Sequence, residues 1–208
     1  MNSIISFLCG DMKNLSYLIV DDVTSDTVIV DPTWEVDKLL MYVKYNNLKL
    51  VSIWLTHTHF DHIKGIGECL DFNNSLPIYV HQIESDRIDF SNVKPINNES
   101  FLMLGKSNWQ VIHTPGHSPG GVCFYSKPNL ICGDTLFVNG CGRADISGAD
   151  VNDLYASILT LKQLPGDTLI YPGHDYARRQ SDSLTNQLKS NRFLRVANLD
   201  DFIKLRMK

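Results

Sequence analysis

The sequence predicts an α+β protein with a sheet-on-sheet core and helices on its outer faces. Three observations carry that reading. Strand-like runs come in groups. Segments with a helical period break those groups after the third, the fourth and the penultimate strands. The composition, 43% hydrophobic and 20% charged over 208 residues, is that of a chain able to bury a core. Layer rules then favour packed sheets covered by helices.

The elements follow in order. Ile4–Leu8, Ser16–Val20 and Thr27–Val30 are short apolar strands, with Asp21-Asp22 and Ser25-Asp26 marking a turn. Asp31-Pro32 ends the third. From Thr33 to Tyr45 the period changes, with Val36, Leu39, Leu40 and Val43 at i, i+3, i+4 and i+7, which predicts an amphipathic helix closed by Asn46-Asn47. Leu50–Leu55 reads as a buried central strand. A helix is expected from Ile63 to about Phe72 and a strand at Pro77–His81, while the polar stretch Gln82–Asn98 gives no clear element. Short strands are expected at Phe101–Leu104, Trp109–His113, Val122–Tyr125 and Leu130–Cys132. Asp150–Leu161 is a helix with Val151, Leu154, Tyr155 and Ile158 on one face, Thr168–Tyr171 the last strand, and Ser181–Ser190 and Leu199–Met207 are helical in pattern.

Length and composition exclude several classes. The chain suits one domain over 1–208, with a short helical extension at about 177–208. Its net charge of −4 leaves no basic surplus for a nucleic-acid backbone. No apolar run reaches the roughly 20 residues of a membrane-spanning helix, and the short stretch Ile4–Cys9 lacks the features of a secretory leader. The cysteines, Cys9, Cys69, Cys123, Cys132 and Cys141, are odd in number and form no C-x-x-C pair, which fits a reducing compartment. A cytoplasmic protein is expected.

The chain has seven histidines, and three stand within six positions as His57-Thr-His59-Phe-Asp61-His62, directly after the strand read as most buried. In an extended segment, residues two apart project to one side, so His57 and His59 can reach one ion. Asp61 and His62 come as the chain turns into the next helix and can serve a second. Imidazole and carboxylate are ligands of zinc, iron or manganese. Three further segments place a polar residue after a strand and a glycine turn: His117 in Thr114-Pro-Gly-His-Ser-Pro-Gly-Gly121, Asp134 in Cys132-Gly-Asp-Thr135, and His174 in Tyr171-Pro-Gly-His-Asp-Tyr176. His81 and His113 lie outside this pattern and read as structural.

Together these residues resemble the metallo-β-lactamase superfamily, whose signature H-x-H-x-D-H is followed by separate His, Asp and His ligands. The resemblance implies an αββα four-layer sandwich with a two-metal centre. His57, His59 and His117 would hold one ion, Asp61, His62 and His174 the other, and Asp134 would bridge them, the ions being Zn2+ or else iron or manganese. T-P-G-H-S-P-G-G, G-D-T-L-F, G-C-G-R and Y-P-G-H-D-Y are similar to the branch around hydroxyacylglutathione hydrolase (glyoxalase II), whose neighbours are persulfide dioxygenases and polyketide-associated zinc hydrolases. The implied activity is thioester hydrolysis by a metal-bridging hydroxide, with Asp61 and Asp134 catalytic and Arg143 and Tyr176 binding substrate. The partner would be a small-molecule or carrier-bound thioester.

Only residues 175–208 follow His174, short for the separate glutathione-binding domain of glyoxalase II, and Arg143 stands where that enzyme has a lysine. The glutathione, coenzyme A and carrier-protein alternatives therefore stay open. So does a mononuclear-iron persulfide dioxygenase, in which His57, His117 and Asp134 would form a facial triad; Asn191-Arg-Phe-Leu194 is similar to a segment of that family. Cys132 lies two residues before Asp134, but its strand context predicts an inert, buried thiol.

Overall fold

The computed structural model describes residues 2–208, and the chain forms two compact units that divide between Val111 and Ile112. In the first unit, six strands form a mixed sheet in sequence order. Strands β1 (Asn2–Cys9), β2 (Asn14–Asp21) and β3 (Asp26–Val30) are antiparallel neighbours. Helix α1 (Asp37–Tyr45) carries the chain to β4 (Lys49–Trp54), parallel to β3. Helices α2 (Phe60–Ile63) and α3 (Ile66–Phe72) lead to β5 (Ile78–His81), and β6 (Val93–Ile96) closes the sheet, again in parallel. Parallel neighbours need such crossovers. Leu39 and Val43 of α1 and Ile66 and Cys69 of α3 meet Ile29, Ile53 and Ile78 of the sheet in one apolar core. Strands β7 (Phe101–Leu104) and β8 (Ser107–His113) form an antiparallel hairpin, and β8 runs through the division between the units. The Trp109 ring of β8 packs edge-on against Trp54 of β4 at 5.8 Å.

In the second unit, β9 (Val122–Ser126) and β10 (Asn129–Gly133) are antiparallel. The small hairpin β11 (Leu136–Phe137) and β12 (Gly140–Cys141) follows, then helix α4 (Val151–Leu161), β13 (Leu169–Pro172), β14 (Asp182–Ser183), and helices α5 (Leu184–Ser190) and α6 (Leu199–Arg206). Strand β13 is parallel to β10 and antiparallel to β14. The core joins Leu130 and Ile170 of the strands to Leu154, Ile158 and Leu161 of α4 and Phe202 of α6. The α+β class is the one the sequence predicts.

Several boundaries differ from expectation. Helix α1 begins at Asp37, not Thr33, because Asp31 (φ 50°) and Glu35 (φ 56°) hold left-handed backbone incompatible with a helix. The helix expected from Ile63 is two pieces. The Asp61 carbonyl accepts from Asn14 Nδ2 and the Gly65 amide donates to Pro32 O, so the i→i−4 bond between them is not made. Strand β6 falls in the polar stretch that gave no element; Val93 and Ile96 face inward there while Lys94 and Pro95 are exposed. Residues 182–183 are strand, and α5 starts at Leu184, capped by Ser183 Oγ accepting from Asn186 N. No helix among the described residues is long and apolar enough to cross a membrane.

Candidate metal centre

In both units the polar residues sit just beyond the carboxyl ends of neighbouring parallel strands, where open sheets present ligand-binding groups. In the first unit the pair is β3 and β4. Asp31 leaves β3 and Thr56-His57 leave β4, tied by the Asp31 N–H donating to Trp54 O at 3.0 Å. Asp31 adopts φ 50°, a conformation aspartate tolerates better than most residues, and its carboxylate organises the loop. Its Oδ1 accepts from Thr56 N at 2.7 Å and its Oδ2 from Thr56 Oγ1 at 2.6 Å. Oδ2 also lies 3.0 Å from His62 Nδ1.

These contacts fix which ring nitrogen is available. With Nδ1–H given to the Asp31 carboxylate, His62 presents Nε2, which faces Asp61 Oδ2 at 3.5 Å. The Thr56 hydroxyl spends its proton on Asp31, so at 3.1 Å it accepts from His57 Nδ1 and fixes the tautomer that leaves the lone pair of His57 on Nε2. The His57 ring lies 4.6 Å from that of His59 and 4.2 Å from that of His62. Asp61 is buried, and Asn14 Nδ2 donates to its Oδ2 at 2.9 Å. Glu84, inaccessible to solvent, accepts from both Thr58 N and Thr58 Oγ1 at 2.8 Å and anchors the middle of the loop.

In the second unit the pair is β10 and β13. Asp134 follows the first and His174 the second, and the Gly173 amide donates to Gly133 O at 2.8 Å. A single oxygen, Asp134 Oδ2, lies 3.4 Å from His117 Nε2 and 3.2 Å from His174 Nε2. The Arg143 carbonyl can only accept, so at 2.9 Å it takes the His117 Nδ1 proton and leaves Nε2 as the donor atom. The loop carrying His117 bends at Gly116, at φ 130°; a Cβ there would strike the Leu154 backbone of α4. A Thr114–Thr135 hydroxyl contact of 2.9 Å joins this loop to the one carrying Asp134.

The seven expected ligands thus stand just past strand ends, in the loops that follow or, for Asp61 and His62, in helix α2; His59 is half-buried and the other six are buried. The first unit gathers His57, His59, Asp61 and His62, and the second gathers His117, Asp134 and His174. Imidazoles with fixed tautomers beside carboxylates are a cluster able to bind a divalent metal. Arg143 is exposed and held by Asp145 through two bonds of 2.9 and 3.1 Å, and Tyr176 stacks on His174 at 4.9 Å with 6° between the planes. His113 Nε2 contacts Pro119 O at 3.0 Å, and His81 is buried in β5. All five cysteines are free and buried, and burial pushes the Cys132 thiol well above its ordinary pKa. Sequence reasoning missed Asp31 and Asn14, which bond the expected ligands His62 and Asp61, and Glu84, which anchors Thr58 between His57 and His59. Asp31-Pro32 was visible only as the end of a strand.

The chain belongs to the metallo-β-lactamase superfamily, whose family model matches residues 9–174. It is similar to the probable polyketide biosynthesis zinc-dependent hydrolase BaeB of Bacillus velezensis, 30% identical over 93% of this chain and 87% of that protein. It is 35% identical to a hydroxyacylglutathione hydrolase of Francisella tularensis subsp. novicida, over 82% of this chain and 66% of that protein. Among solved structures, ETHE1 from Myxococcus xanthus matches with a TM-score of 0.90 and 28% identity, over 99% of this chain and 90% of that one.

Proposed function

We propose that the protein is a metal-dependent thioester hydrolase of the cytoplasm, acting on a small-molecule or carrier-bound thioester. In this reading His57, His59 and His117 would hold one ion and Asp61, His62 and His174 a second, with Asp134 shared between them and zinc as the metal. The observation that carries it is the Asp134 carboxylate oxygen, shared between His117 Nε2 and His174 Nε2. The zinc-dependent and glutathione-thioester hydrolases among the relatives support it.

A pair of divalent ions supplies a water acidic enough to attack a thioester carbonyl near neutral pH. The chain's own residues prepare that attack. Asp31 and the Arg143 carbonyl keep His62 and His117 in one tautomer. Asp61, itself held by Asn14, orients the attacking water. Tyr176 and Arg143 receive the thiol side of the substrate. Water adds to the carbonyl carbon, the C–S bond breaks, and a carboxylic acid and a thiol leave. No side-chain nucleophile is needed, in keeping with the inert Cys132.

The likeness to ETHE1 over nearly the whole chain favours a second reading, an iron dioxygenase acting on a persulfide through His57, His117 and Asp134. The two are separated by following thiol release from a panel of glutathione, coenzyme A and pantetheine thioesters alongside oxygen consumption on glutathione persulfide. Thiol release without oxygen uptake is expected. Oxygen uptake on the persulfide with no thioester cleaved would overturn the hydrolase.

A further inference from the structure

The second unit contains a cavity of about 940 Å³ lined by five arginines: Arg143, Arg178, Arg179, Arg192 and Arg206. They come from separate stretches, after β12, after β13, between α5 and α6, and at the end of α6. No local sequence pattern links them. The acids nearby are fewer. Asp145 takes Arg143 and stands 3.8 Å from Arg206. Asp182 lines the cavity, but its oxygens accept from Asn186, Gln187 and Ser183 N. Arg178 and Arg192 make no ion pair among the described residues.

Two features show how guanidinium groups are placed here, with Asp145 the one carboxylate paired with Arg206 among the described residues. Arg192 and Arg206 lie over the Phe193 ring, 4.9 and 6.0 Å from its centre. The Arg206 Nε is buried with no hydrogen-bond partner. A buried donor left unmade costs free energy that a ligand acceptor would offset. The cavity borders His174 through two of its lining residues: Tyr176 stacks on the His174 ring, and Phe137 packs edge-on to both rings.

Charge and geometry select the ligand. Guanidinium forks match phosphate oxygens in pairs. The 3′-phosphate monoester of coenzyme A carries about −1.5 to −2 near neutral pH and its diphosphate adds to that, while the phosphodiester of a carrier arm carries about −1 on one pair of oxygens that a guanidinium fork can match. A glutathione thioester, with two carboxylates against one ammonium, brings only about one net negative charge to this cavity. We propose that the cavity binds the phosphate end of a phosphopantetheine thiol, the chemistry shared by coenzyme A and the prosthetic arm of a carrier protein, with the thiol passing Tyr176 toward His174. This rests on the thioester-hydrolase reading, and it makes phosphate the mark by which the enzyme selects its thiol.

The test is calorimetric titration of the metal-loaded full chain with pantetheine, 4′-phosphopantetheine, coenzyme A, adenosine 3′,5′-bisphosphate and glutathione. The phosphorylated probes should bind at least about tenfold tighter than pantetheine and glutathione, and weaken with added salt. The exposed double substitution Arg178→Glu with Arg179→Glu should weaken them by about tenfold or more, and Arg192→Ala should do likewise, with unchanged melting temperatures showing that each variant folds. Binding of adenosine 3′,5′-bisphosphate together with coenzyme A assigns the site to the nucleotide thiol. Binding of 4′-phosphopantetheine without it assigns the site to the carrier arm. Equal affinity for pantetheine and 4′-phosphopantetheine, or phosphate-dependent binding that survives charge reversal, overturns the proposal. Phosphate-dependent binding in a protein that cleaves no thioester leaves the cavity assigned and overturns the hydrolase reading alone.

Discussion

Residues 56–62 and residues 114–174 reach the same end by different means. In the first stretch, four candidate metal ligands stand on a loop and the short helix α2, clamped by buried side-chain carboxylates: Asp31 on Thr56, and within reach of His62, and Glu84 on Thr58. In the second, His117, Asp134 and His174 are set by the main chain, through the Arg143 carbonyl, the Gly173–Gly133 bond and the bend at Gly116. Both stretches use the carboxyl ends of adjacent parallel strands. The first half is therefore vulnerable to loss of a charge, and the second to loss of a glycine.

Substitutions can break this contrast, beginning with the residue that links the ligands of the second half. Asp134→Ala should cost more than the ten- to hundredfold typical of a residue outside the ligand set, so activity should fall by more than about 100-fold. Metal content should fall with it, measured by elemental analysis; full activity with full metal content would remove Asp134 from the centre. Asp31→Ala comes next, weakening metal affinity by about 10- to 100-fold in competition with a chelator. Arg143→Ala should leave metal content as in the parent, since His117 is held by a carbonyl that alanine retains. A drop in metal for Arg143→Ala would erase the distinction between the halves.

Stability gives smaller effects. Glu84→Gln replaces a buried charged acceptor of two hydrogen bonds and should cost about 1–3 kcal/mol in urea unfolding. Gly116→Ala places a Cβ against Leu154 in left-handed backbone and should cost about 1–3 kcal/mol by the same measurement. The smallest effect lies in the acid range. Asp21 clamps the β2–β3 turn to the β7–β8 hairpin, and hydrogen bonds from the Thr24, Lys106 and Val23 amides lower its pKa to about 2. A carboxyl lowered in this way stabilises the fold above its ordinary value of about 3.9, and that contribution is lost as pH falls toward 2. Asp21→Asn should remove this part of the acid dependence in urea midpoints recorded between pH 5 and pH 2. An identical acid limb in the variant would show that Asp21 does not supply it.

The ligands were legible because each carries a local signal. Four sit in one hexapeptide, and His117, Asp134 and His174 each follow a strand and a glycine turn. Their supports were not legible, because their partners are distant in sequence: Asp31 acts 31 residues before His62, Glu84 26 residues after Thr58, and Asn14 47 residues before Asp61. The arginine cavity was hidden for the same reason, and only Arg143 and Arg192 stood in motifs. Periodicity found α1 and α4. It could not see that side-chain and turn contacts claim the backbone groups needed to join α2 to α3, nor that β6 keeps only Val93 and Ile96 facing inward.

The central claim is that the proposed centre holds two metal ions. Elemental analysis of the protein purified without added metal tests it most directly. Two zinc ions per chain, both lost in Asp134→Ala, is the predicted result; a single iron per chain would contradict it.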